Sequence, residues 1–398
     1  MESLEVVQAH IRAAVPSPRA GMVPLRDALG LVLAGDIAAG EAVPPFANTA
    51  MDGYAVRAAD TTHAPVRLRV VGDLAAGHAP TTRVGAGDAI RIMTGAPMPP
   101  GADAIVMVER TERDGDDGVT IQVPAALGDH IRHPGGDVAE GDAVFAAGAV
   151  LTPAHLGVLA SLGFADVPAY PRIRVGVIST GDELREGPGV LAPGQIRDSN
   201  RPMMVALVRE AGCDAVDLGI GRDDEAAVTA MFRDAAASCD AIITTGGVSV
   251  GDYDVVKAVL DQLGVLEWWQ VSIKPAKPLA FARIDGTPVF GLPGNPVSSH
   301  VSFELFARPA LRQMMGHPEV DRPVVTAIAG EAMPRRADGK LYFDRVRVRY
   351  DGDRYVAVRS GTQASNVLSG MALANGLALL PDGPGIDAGA PLQVMLLT

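Results

Sequence analysis

Apolar residues near the start of the chain recur at helical spacing. Leu4, Val7, Ile11 and Ala14 lie three or four positions apart, and Pro16 follows them. This spacing puts the four side chains on one face of a helix, which a proline cannot continue. The pattern predicts an N-terminal helix, and the segment PLRDALG predicts a second, short helix that ends at its glycine.

Short β-rich runs replace the helical spacing between about residues 43 and 170. VRLRVVG, DAIRIM, DAIVMVE and GVTIQV alternate with glycine, proline and aspartate. Runs of this length and composition, separated by turn residues, are typical of strands. We therefore expect a small unit made only of β-strands.

Strands and helices alternate from Arg172 onward. RIRVGVI precedes RPMMVALVREAG, AVDLGI precedes DEAAVTAMFRDAAASC, AIITTGG precedes VVKAVLDQLG, and PVFGLPG precedes a helix that runs through MMG. Such alternation implies a parallel, doubly wound sheet. After Pro318, LYFDRVRVRY, RYVAVRS and LQVMLL predict a second β domain, joined through a linker at His317 and Pro318.

Composition limits the classes of protein that fit this pattern. The chain has 398 residues, which at about 150 residues per domain predicts two to four domains. Hydrophobic residues make up 48% and charged residues 20%, so disorder is excluded. A net charge of −13 and an aromatic content of 4% argue against a nucleic-acid surface. Any bound anion must therefore be held by a local cationic site.

The cysteines and the N-terminal sequence indicate the cellular compartment of the protein. Cys213 and Cys239 form no C-x-x-C motif, so we expect two buried free thiols rather than disulfides or structural zinc. The opening MESLEVVQAHIRAAV is acidic where a signal peptide is basic, and no apolar run approaches about 18 residues. These features predict a cytoplasmic protein with no membrane partner.

Three of the predicted strands end in small, hydroxyl-bearing residues. Ligands of open parallel sheets bind beyond the carboxyl ends of the strands, where backbone N–H groups converge. Each segment by itself is consistent with an ordinary turn, but three at one edge predict a pocket. The candidate residues are Ser179, Thr180 and Gly181 after the first strand, Gly246, Gly247 and Ser249 after the second, and Pro293, Gly294, Asn295, Pro296 and Ser298 after the third.

Charged residues beside these strand ends suit a phosphorylated ligand. Glu183, Asp252 and Asp254 are candidate ligands for Mg²⁺, which prefers a few carboxylates together with phosphate and water. The alternative is that they are solvated loop acids. Lys274 and Lys277, in KPAKP, provide two positive charges for phosphate.

Two other motifs indicate alternative functions, a hydrolase and a histidine metal site, that the rest of the sequence supports less well. Residues 247–251 have the G-x-S-x-G spacing of a hydrolase nucleophile, but no HGGG-type oxyanion segment accompanies them. His130 and His133 are three residues apart without an evident third ligand nearby, so a metal site there is the minority interpretation.

Six long motifs, taken together in their order, carry a family resemblance. NTAMDGYA, RIMTGAPMPPGADAIVMVE, STGDEL, TTGGVSVGDYD, KPAKPLAF and FGLPGNPVS resemble the molybdopterin molybdenumtransferases, the MoeA and gephyrin E-domain family. The resemblance implies a multidomain α/β plus β fold. Its parts are an elongated subdomain (1–45 with 142–170), an inserted β-rich domain (46–141), an αβα three-layer domain with a mostly parallel sheet (171–318) and a C-terminal β-barrel (319–398).

The resemblance also implies an activity and partners. Such enzymes insert molybdate into adenylylated molybdopterin in a Mg²⁺-dependent reaction that releases AMP and the molybdenum cofactor. The family forms homodimers in which the αβα domain of one subunit and the β unit of the other share an active site. The adenylylating enzyme and molybdoenzymes are further expected partners. The alternatives are a molybdopterin adenylyltransferase and a non-catalytic carrier of the cofactor.

The family's functional residues carry over motif by motif. The catalytic positions correspond to Asp52, Thr94, Arg132, Asp137, Glu183 and Asp254. The resemblance implies that the last two hold Mg²⁺ or its waters, while the first four lie at the molybdate and dithiolene end. Lys274 and Lys277 match phosphate-side lysines, and Arg345 matches an arginine of the C-terminal domain.

The chain departs from the family pattern at two alanines. Ala276 stands in KPAKP where KPGKP is usual, and Ala364 stands in SGTQAS where glycine is frequent. If position 276 requires a positive φ, alanine there costs about 1 kcal/mol or more. The alanine at position 276 therefore affects the backbone geometry of KPAKP, which we call the lysine segment.

Overall fold

The structure is a computed structural model that describes residues 1–247 and 255–397. The N-terminal helix predicted from the apolar spacing is present. Helix α1 spans Leu4–Ala14, and Ser3 caps it by accepting a hydrogen bond from Val6 N. The second predicted helix is only a 3₁₀ turn, Leu25–Asp27. Seven residues are too few to offset the cost of starting an α-helix without extensive packing.

The chain divides into two compact units. The first consists of Met1–Val23, Gly30–Ala34 and Pro168–Thr398, and the second of Pro24–Leu29 and Gly35–Val167. The four domain boundaries expected from the family resemblance remain a prediction.

The N-terminal 170 residues contain thirteen short strands and two α-helices. The strands are β1 Gly21–Pro24, β2 Val32–Leu33, β3 Ile37–Ala38, β4 Asn48–Thr49, β5 Gly53–Val56, β6 Val66–Leu74, β7 Asp88–Ile92, β8 Ala104–Met107, β9 Thr111–Asp114, β10 Gly118–Ile121, β11 Ile131–Arg132, β12 Ala143–Phe145 and β13 Asp166–Tyr170. In the second unit, six of them form a sheet of order β8-β5-β7-β6-β10-β9.

One helix interrupts the region predicted to contain strands alone. Helix α2 spans Pro153–Ser161, so that prediction was wrong for these residues. Thr152 and His155 form a capping box, and the helix begins with a proline, which is favoured at the first helical position. These start signals were present in the sequence.

The αβα layers lie in the first unit. Strands are β14 Arg174–Thr180, β15 Leu184–Arg185, β16 Ile196–Arg197, β17 Asp214–Gly221, β18 Ala241–Thr245, β19 Val265–Gln270, β20 Ile273–Lys274, β21 Pro278–Ile284 and β22 Thr287–Leu292. Helices are α3 Asn200–Glu210, α4 Glu225–Ser238, α5 Val255–Leu263, α6 Pro296–Ser302 and α7 Arg308–Met314, with a π-helical turn at Phe303–Ala307.

The main sheet of this unit is mixed rather than fully parallel. Its order is β17-β14-β18-β22-β21-β19. The first four strands are parallel, whereas β21 runs antiparallel to both of its neighbours. One face packs against α3, α6 and α7, and the other against α4 and α5. The expectation of three layers around a mostly parallel sheet is confirmed.

The C-terminal region closes into a barrel. Its elements are β23 Val324–Ala329, β24 Met333–Pro334, β25 Leu341–Tyr350, β26 Tyr355–Arg359, α8 Leu368–Ala372, β27 Gly376–Leu380, β28 Gly385–Ile386 and β29 Pro391–Leu396. Pairing of β25 with β27 closes the order β25-β26-β23-β29-β27 into five strands. The predicted β-barrel is therefore confirmed.

Two further expectations concern thiols and membranes. Cys213 and Cys239 are buried free thiols, as predicted, and burial raises the pKa of Cys213 to about 12.

Among residues 1–247 and 255–397, no helix has the length and apolar character needed to cross a bilayer.

Gly53 provides a test of the second unit's packing. This residue lies in β5 between β7 and β8, and a Cβ there would overlap the carbonyl oxygen of Val106. We expect Gly53→Ala to lower the free energy of unfolding by about 1–3 kcal/mol. Gly157→Ala, in α2 of the same unit, meets no atom within 4 Å. It should be neutral or stabilising by about 0.5–1 kcal/mol in thermal or denaturant unfolding. Equal effects of the two substitutions would contradict the close packing of Gly53 against β8.

Candidate active site

The three strand ends predicted to form a pocket meet at one edge of the sheet. β14, β18 and β22 are adjacent and parallel, so their carboxyl ends lie side by side. Ser179 Oγ is 3.0 Å from Thr245 Oγ1, and Gly246 N donates to the carbonyl of Leu292 at 3.2 Å. The corners at these ends therefore converge, which is the arrangement that a shared ligand requires.

Glycines allow the first two corners to approach each other. Gly181, Gly246 and Gly247 have φ values of +148°, +90° and +67°. A Cβ at Gly246 would lie 2.8 Å from the carbonyl oxygen of Thr180. A Cβ at Gly181 would overlap the carboxylate of Glu183, which therefore lies directly over this corner. Glu183 is exposed, and its carboxylate lies next to the end of this strand.

A buried ion cluster, missed in the sequence, supports the first corner. The side chain of Asp198 is 1% exposed, and its carboxylate accepts from Ser179 Oγ at 3.1 Å and from Arg201 Nε at 3.1 Å. Arg201 also contacts Glu186 and Asp217. The signal was available, since Asp198-Ser199-Asn200 precedes the helical run and such residues often precede helices. What the sequence did not indicate is that Asp198 reaches back to Ser179.

Asn200 connects this cluster to the third corner. Its Nδ2 donates to the carbonyl oxygen of Gly294 at 2.7 Å. Asn295 directly precedes α6, and Pro296 is the first helical residue, a position that favours proline. The side chain of Asn295 does not cap the helix; it donates instead to Ser365 Oγ at 3.2 Å. The third corner is therefore fixed by contacts from both sides.

The lysine segment follows β20. Lys274 Nζ lies 4.6 Å from the centre of the Tyr342 ring, a cation–π contact. Ala276 is buried and has φ +74°, so position 276 does adopt the left-handed conformation that glycine favours. The backbone of the segment is held by Val271 N, which donates to the carbonyl of Lys277 at 2.7 Å.

A cavity of about 760 Å³ connects the lysine segment to the third corner. Three lysines line it, and none of its described lining residues is acidic. The lining residues are Ile273, Lys274, Pro275, Ala276, Lys277, Pro278, Pro293, Gly294, Asn295, Ser298, Lys340, Gln363, Ala364, Ser365 and Asn366. Sequence reasoning missed Lys340 and the segment 363–366 apart from Ala364, because they come from the C-terminal domain.

Arg345 lies behind this cavity rather than in its lining. The residue is 0% exposed, and its Nη2 donates to the carbonyls of Thr362 and Ala364 at 2.6 and 3.3 Å. Its Nε and Nη1 have no hydrogen-bond partner among the described residues. Burial lowers the pKa of this guanidinium. Arg345 thus fixes the backbone that carries Gln363 and Ser365 into the cavity.

Four predicted residues lie in the second unit. Asp52 Oδ1 accepts from both the N and the Oγ1 of Thr94 at 2.6 Å, and these bonds lower the pKa of Asp52. Arg132 and Asp137 are exposed, and Arg132 pairs with Asn48 through the backbone. Because Thr49 N and O bond to Ala96 and Gly95, the motifs NTAMDGYA and RIMTGAPMPPGADAIVMVE are adjacent within this unit.

The remaining predicted residues are Ser249, Asp252 and Asp254, which lie outside the described residues. Of the proposed Mg²⁺ ligands, only Glu183 is described. Within the described ranges, no three His, Cys, Asp or Glu side chains are grouped so that they could hold a metal ion. The magnesium site expected from the family resemblance therefore stays a prediction.

Comparisons with known proteins cover the whole chain. Family models match residues 2–163 (MoeA N-terminal region, domains I and II), 176–313 (probable molybdopterin binding domain) and 327–397 (MoeA C-terminal region, domain IV). Molybdopterin molybdenumtransferase 2 of Mycobacterium tuberculosis is 44% identical over 98% of this chain and 99% of its own. The molybdopterin molybdenumtransferase of Haemophilus influenzae is 36% identical over 99% and 98%.

A solved structure agrees with these relatives. The molybdopterin biosynthesis MoeA protein of Pyrococcus horikoshii has a TM-score of 0.80 and 31% identity, over 100% of this chain and 99% of that one. The matches extend over every domain and agree in order with the six motifs of the sequence. The chain therefore belongs to the molybdopterin molybdenumtransferase (MoeA) family.

Proposed function

We propose that this protein is a molybdopterin molybdenumtransferase that inserts molybdate into adenylylated molybdopterin and releases AMP, forming the molybdenum cofactor. The observation that carries the proposal is the cavity lined by three lysines and no described acid, next to the converging strand ends. In a chain of net charge −13, such a concentration of cations is a local feature that an anionic ligand would use.

The chemistry of the substrates explains why these groups are needed. A diphosphate linkage and an incoming oxyanion bring several negative charges together, and their repulsion must be offset. Lys274 and Lys277 would neutralise part of this charge from the cavity side. Ser298, which lines the cavity, would help to position the oxygens. Ser179 and Gly246 would shape the adjoining corners, since their donors are used within the protein.

Mg²⁺ would act from the acidic side of the same edge. Glu183 lies over the first corner, and Asp252 and Asp254 follow the second corner in the sequence. The oxygen donors of these residues match the preference of Mg²⁺ for carboxylates combined with phosphate and water. When bound, the ion would stabilise negative charge on the leaving phosphate.

The second unit would supply the molybdate and dithiolene end of the site from the other subunit of a homodimer. Asp52 and Thr94 form one hydrogen-bonded group, and the exposed Arg132 belongs to an adjacent backbone pair. An exposed polar group of this kind is suited to contact a ligand held by another chain. Transfer of product to molybdoenzymes, and delivery of substrate by the adenylylating enzyme, would follow from this activity.

The proposed reaction is tested by mixing the purified protein with adenylylated molybdopterin, molybdate and Mg²⁺ and measuring AMP. We expect AMP and cofactor in equal amounts, loss of both after chelation by EDTA, and recovery on adding Mg²⁺. Stoichiometric binding without AMP would support a carrier instead. Consumption of ATP with molybdopterin would support an adenylyltransferase.

Glu183→Gln tests the metal-side carboxylate. The amide keeps the size of the side chain but removes its charge, so AMP release should fall by about 100-fold or more. The oligomeric state, measured by light scattering, should not change. The matched control is Glu140→Gln, an exposed carboxylate of the second unit, which should keep full activity. Full activity of Glu183→Gln would remove this residue from the proposed site.

A mixture of two inactive variants tests whether the site is shared between subunits. Asp52→Asn and Glu183→Gln would each disable both sites of their own homodimer. After denaturation and refolding of an equal mixture, heterodimers would contain one intact site in two, giving about a quarter of wild-type AMP release. Recovery of no activity, with heterodimers demonstrated by mass spectrometry, would place both residues in the site of one subunit.

A further inference from the structure

The C-terminal barrel has a cavity of its own, separate from the one that contains the lysines. Its volume is about 530 Å³, and it shares no lining residue with the cavity at the lysine segment. The residues come from β25, from β26 and from the chain that follows α8, and we call this cavity the barrel groove. Its lining consists of Arg347, Val348, Arg349, Val356, Val358, Leu373 and Asn375. The proposed reaction uses none of these residues.

The groove lies on the outer face of the barrel because side chains alternate along both strands. Val348 belongs to the barrel core, whereas Arg347 and Arg349 on either side of it are exposed. On β26, Val356 and Val358 line the groove, and the alanine between them belongs to the core. Arg347 lies opposite Val358 in the antiparallel pairing. The next outward pair consists of Arg349 and Val356. The floor of the groove is thus made of two arginines that face two valines.

The two arginines of the groove carry charge that the described part of the protein does not neutralise. Among the described residues, neither Arg347 nor Arg349 forms an ion pair or a side-chain hydrogen bond. Arg359 of the same strand pair differs, because it bonds to Asp344 at 2.6 Å. The described lining of the groove contains no acidic residue. In a chain of net charge −13, two neighbouring unpaired guanidiniums form a local site for an anionic partner.

Apolar side chains of the groove are also accessible. Val358 is 38% exposed and Leu373 is 57% exposed. Arginine stems often cover apolar neighbours, but here both side chains keep a large exposed surface beside the arginines. A partner that covers them gains from hydrophobic contact as well as from charge. The groove therefore favours a ligand that carries both acidic and apolar groups.

The backbone at the centre of the groove offers no free strand edge. Val348 N donates to Asn375 Oδ1 at 2.6 Å, and Asn375 Nδ2 donates to the carbonyl of Val348 at 2.9 Å. The amide side chain thus takes the place of a further strand at this position. A partner at this point must contact side chains of the groove rather than extend the sheet.

We propose that the barrel groove binds a short, extended, acidic segment of a partner protein, whose carboxylates pair with Arg347 and Arg349. The proposal goes beyond the proposed function and does not depend on it. The two arginines are two residues apart on one strand, so their Cα atoms are about 7 Å apart. An extended segment with acidic residues at alternate positions has the same spacing, and both carboxylates can pair at once. A third residue on that face, if apolar, would contact the exposed apolar side chains.

A nucleic acid fits the groove less well than such a segment. Its affinity for proteins comes mainly from many phosphate contacts, and the groove has two arginines in an acidic chain. A sugar–phosphate backbone also has no aliphatic group to cover Leu373. The combination of few cations and exposed aliphatic surface therefore favours a peptide.

The test is fluorescence anisotropy at low salt with the full-length protein and a labelled peptide that contains Asp-Ser-Asp-Ser-Leu. We expect the double variant Arg347→Gln/Arg349→Gln to bind about tenfold more weakly, because two charged contacts are lost. The peptide with Asn in place of both Asp residues should bind the wild type as weakly. The matched control is Arg209→Gln, an exposed arginine in the last turn of α3 and outside the groove, which should have no effect.

Val358→Thr tests the apolar part of the groove. The substitution keeps the shape of the side chain but replaces a methyl group by a hydroxyl, so binding should weaken about twofold to threefold. Val324→Thr is the matched control, since this valine of β23 is 48% exposed and lies outside the lining. It should bind the peptide as well as the wild type. Unfolding temperatures confirm that each variant folds.

Three results would overturn the proposal. The first is absence of binding to the wild type, or equal binding by the double variant. The second is tighter binding of single-stranded DNA through the same arginines, which would identify a nucleic-acid surface. The third is a change of oligomeric state in the double variant, measured by light scattering, which would mean that a second copy of this chain occupies the groove. AMP release by the double variant should equal that of the wild type, so failure of this inference leaves the proposed function intact.

Discussion

Electrostatic repulsion between anionic substrates and an acidic protein is the constraint on which this site depends. The chain carries a net charge of −13, yet the described lining of the main cavity contains three lysines and no carboxylate. The nearby Asp344 is paired with Arg359, and Asp338 is paired with Arg335 as well as with Lys340. The arginines neutralise carboxylates that would otherwise weaken the field of the lysines. The arrangement concentrates positive charge where the ligand is expected without making the protein basic.

The lysine segment is held in a conformation that its sequence disfavours. Ala276 adopts φ +74°, which costs about 1 kcal/mol relative to glycine. The cost is offset by burial of Ala276 in the main core and by the pairing of β20 with β25. The C-terminal barrel thus contributes to the site, because its strand β25 pairs with Ile273 and Lys274, where the segment begins.

The pattern of apolar and polar residues predicted those features of the fold that depend on residues close together in the chain. Helix α1, the alternation of strands and helices from Arg172 onward and the convergence of three strand ends follow from periodicity and from the rule for parallel sheets. Helix α2 was missed because strand-like runs dominate its surroundings. Asp198 and Asn200 were missed as site residues because their partners, Ser179 and Gly294, are distant in sequence. Such pairs depend on tertiary packing, and the local pattern of a sequence does not show which distant residues meet.

The position of Arg345 shows how a motif match can identify a residue without identifying its role. The family resemblance places it among substrate-binding residues, whereas its guanidinium here is buried and bonds to the carbonyls of Thr362 and Ala364. An arginine with five donors in a fixed fork can order a loop through several carbonyls at once. The contact that the structure shows is with the loop that carries Gln363 and Ser365, and a direct role of Arg345 in substrate binding stays a prediction.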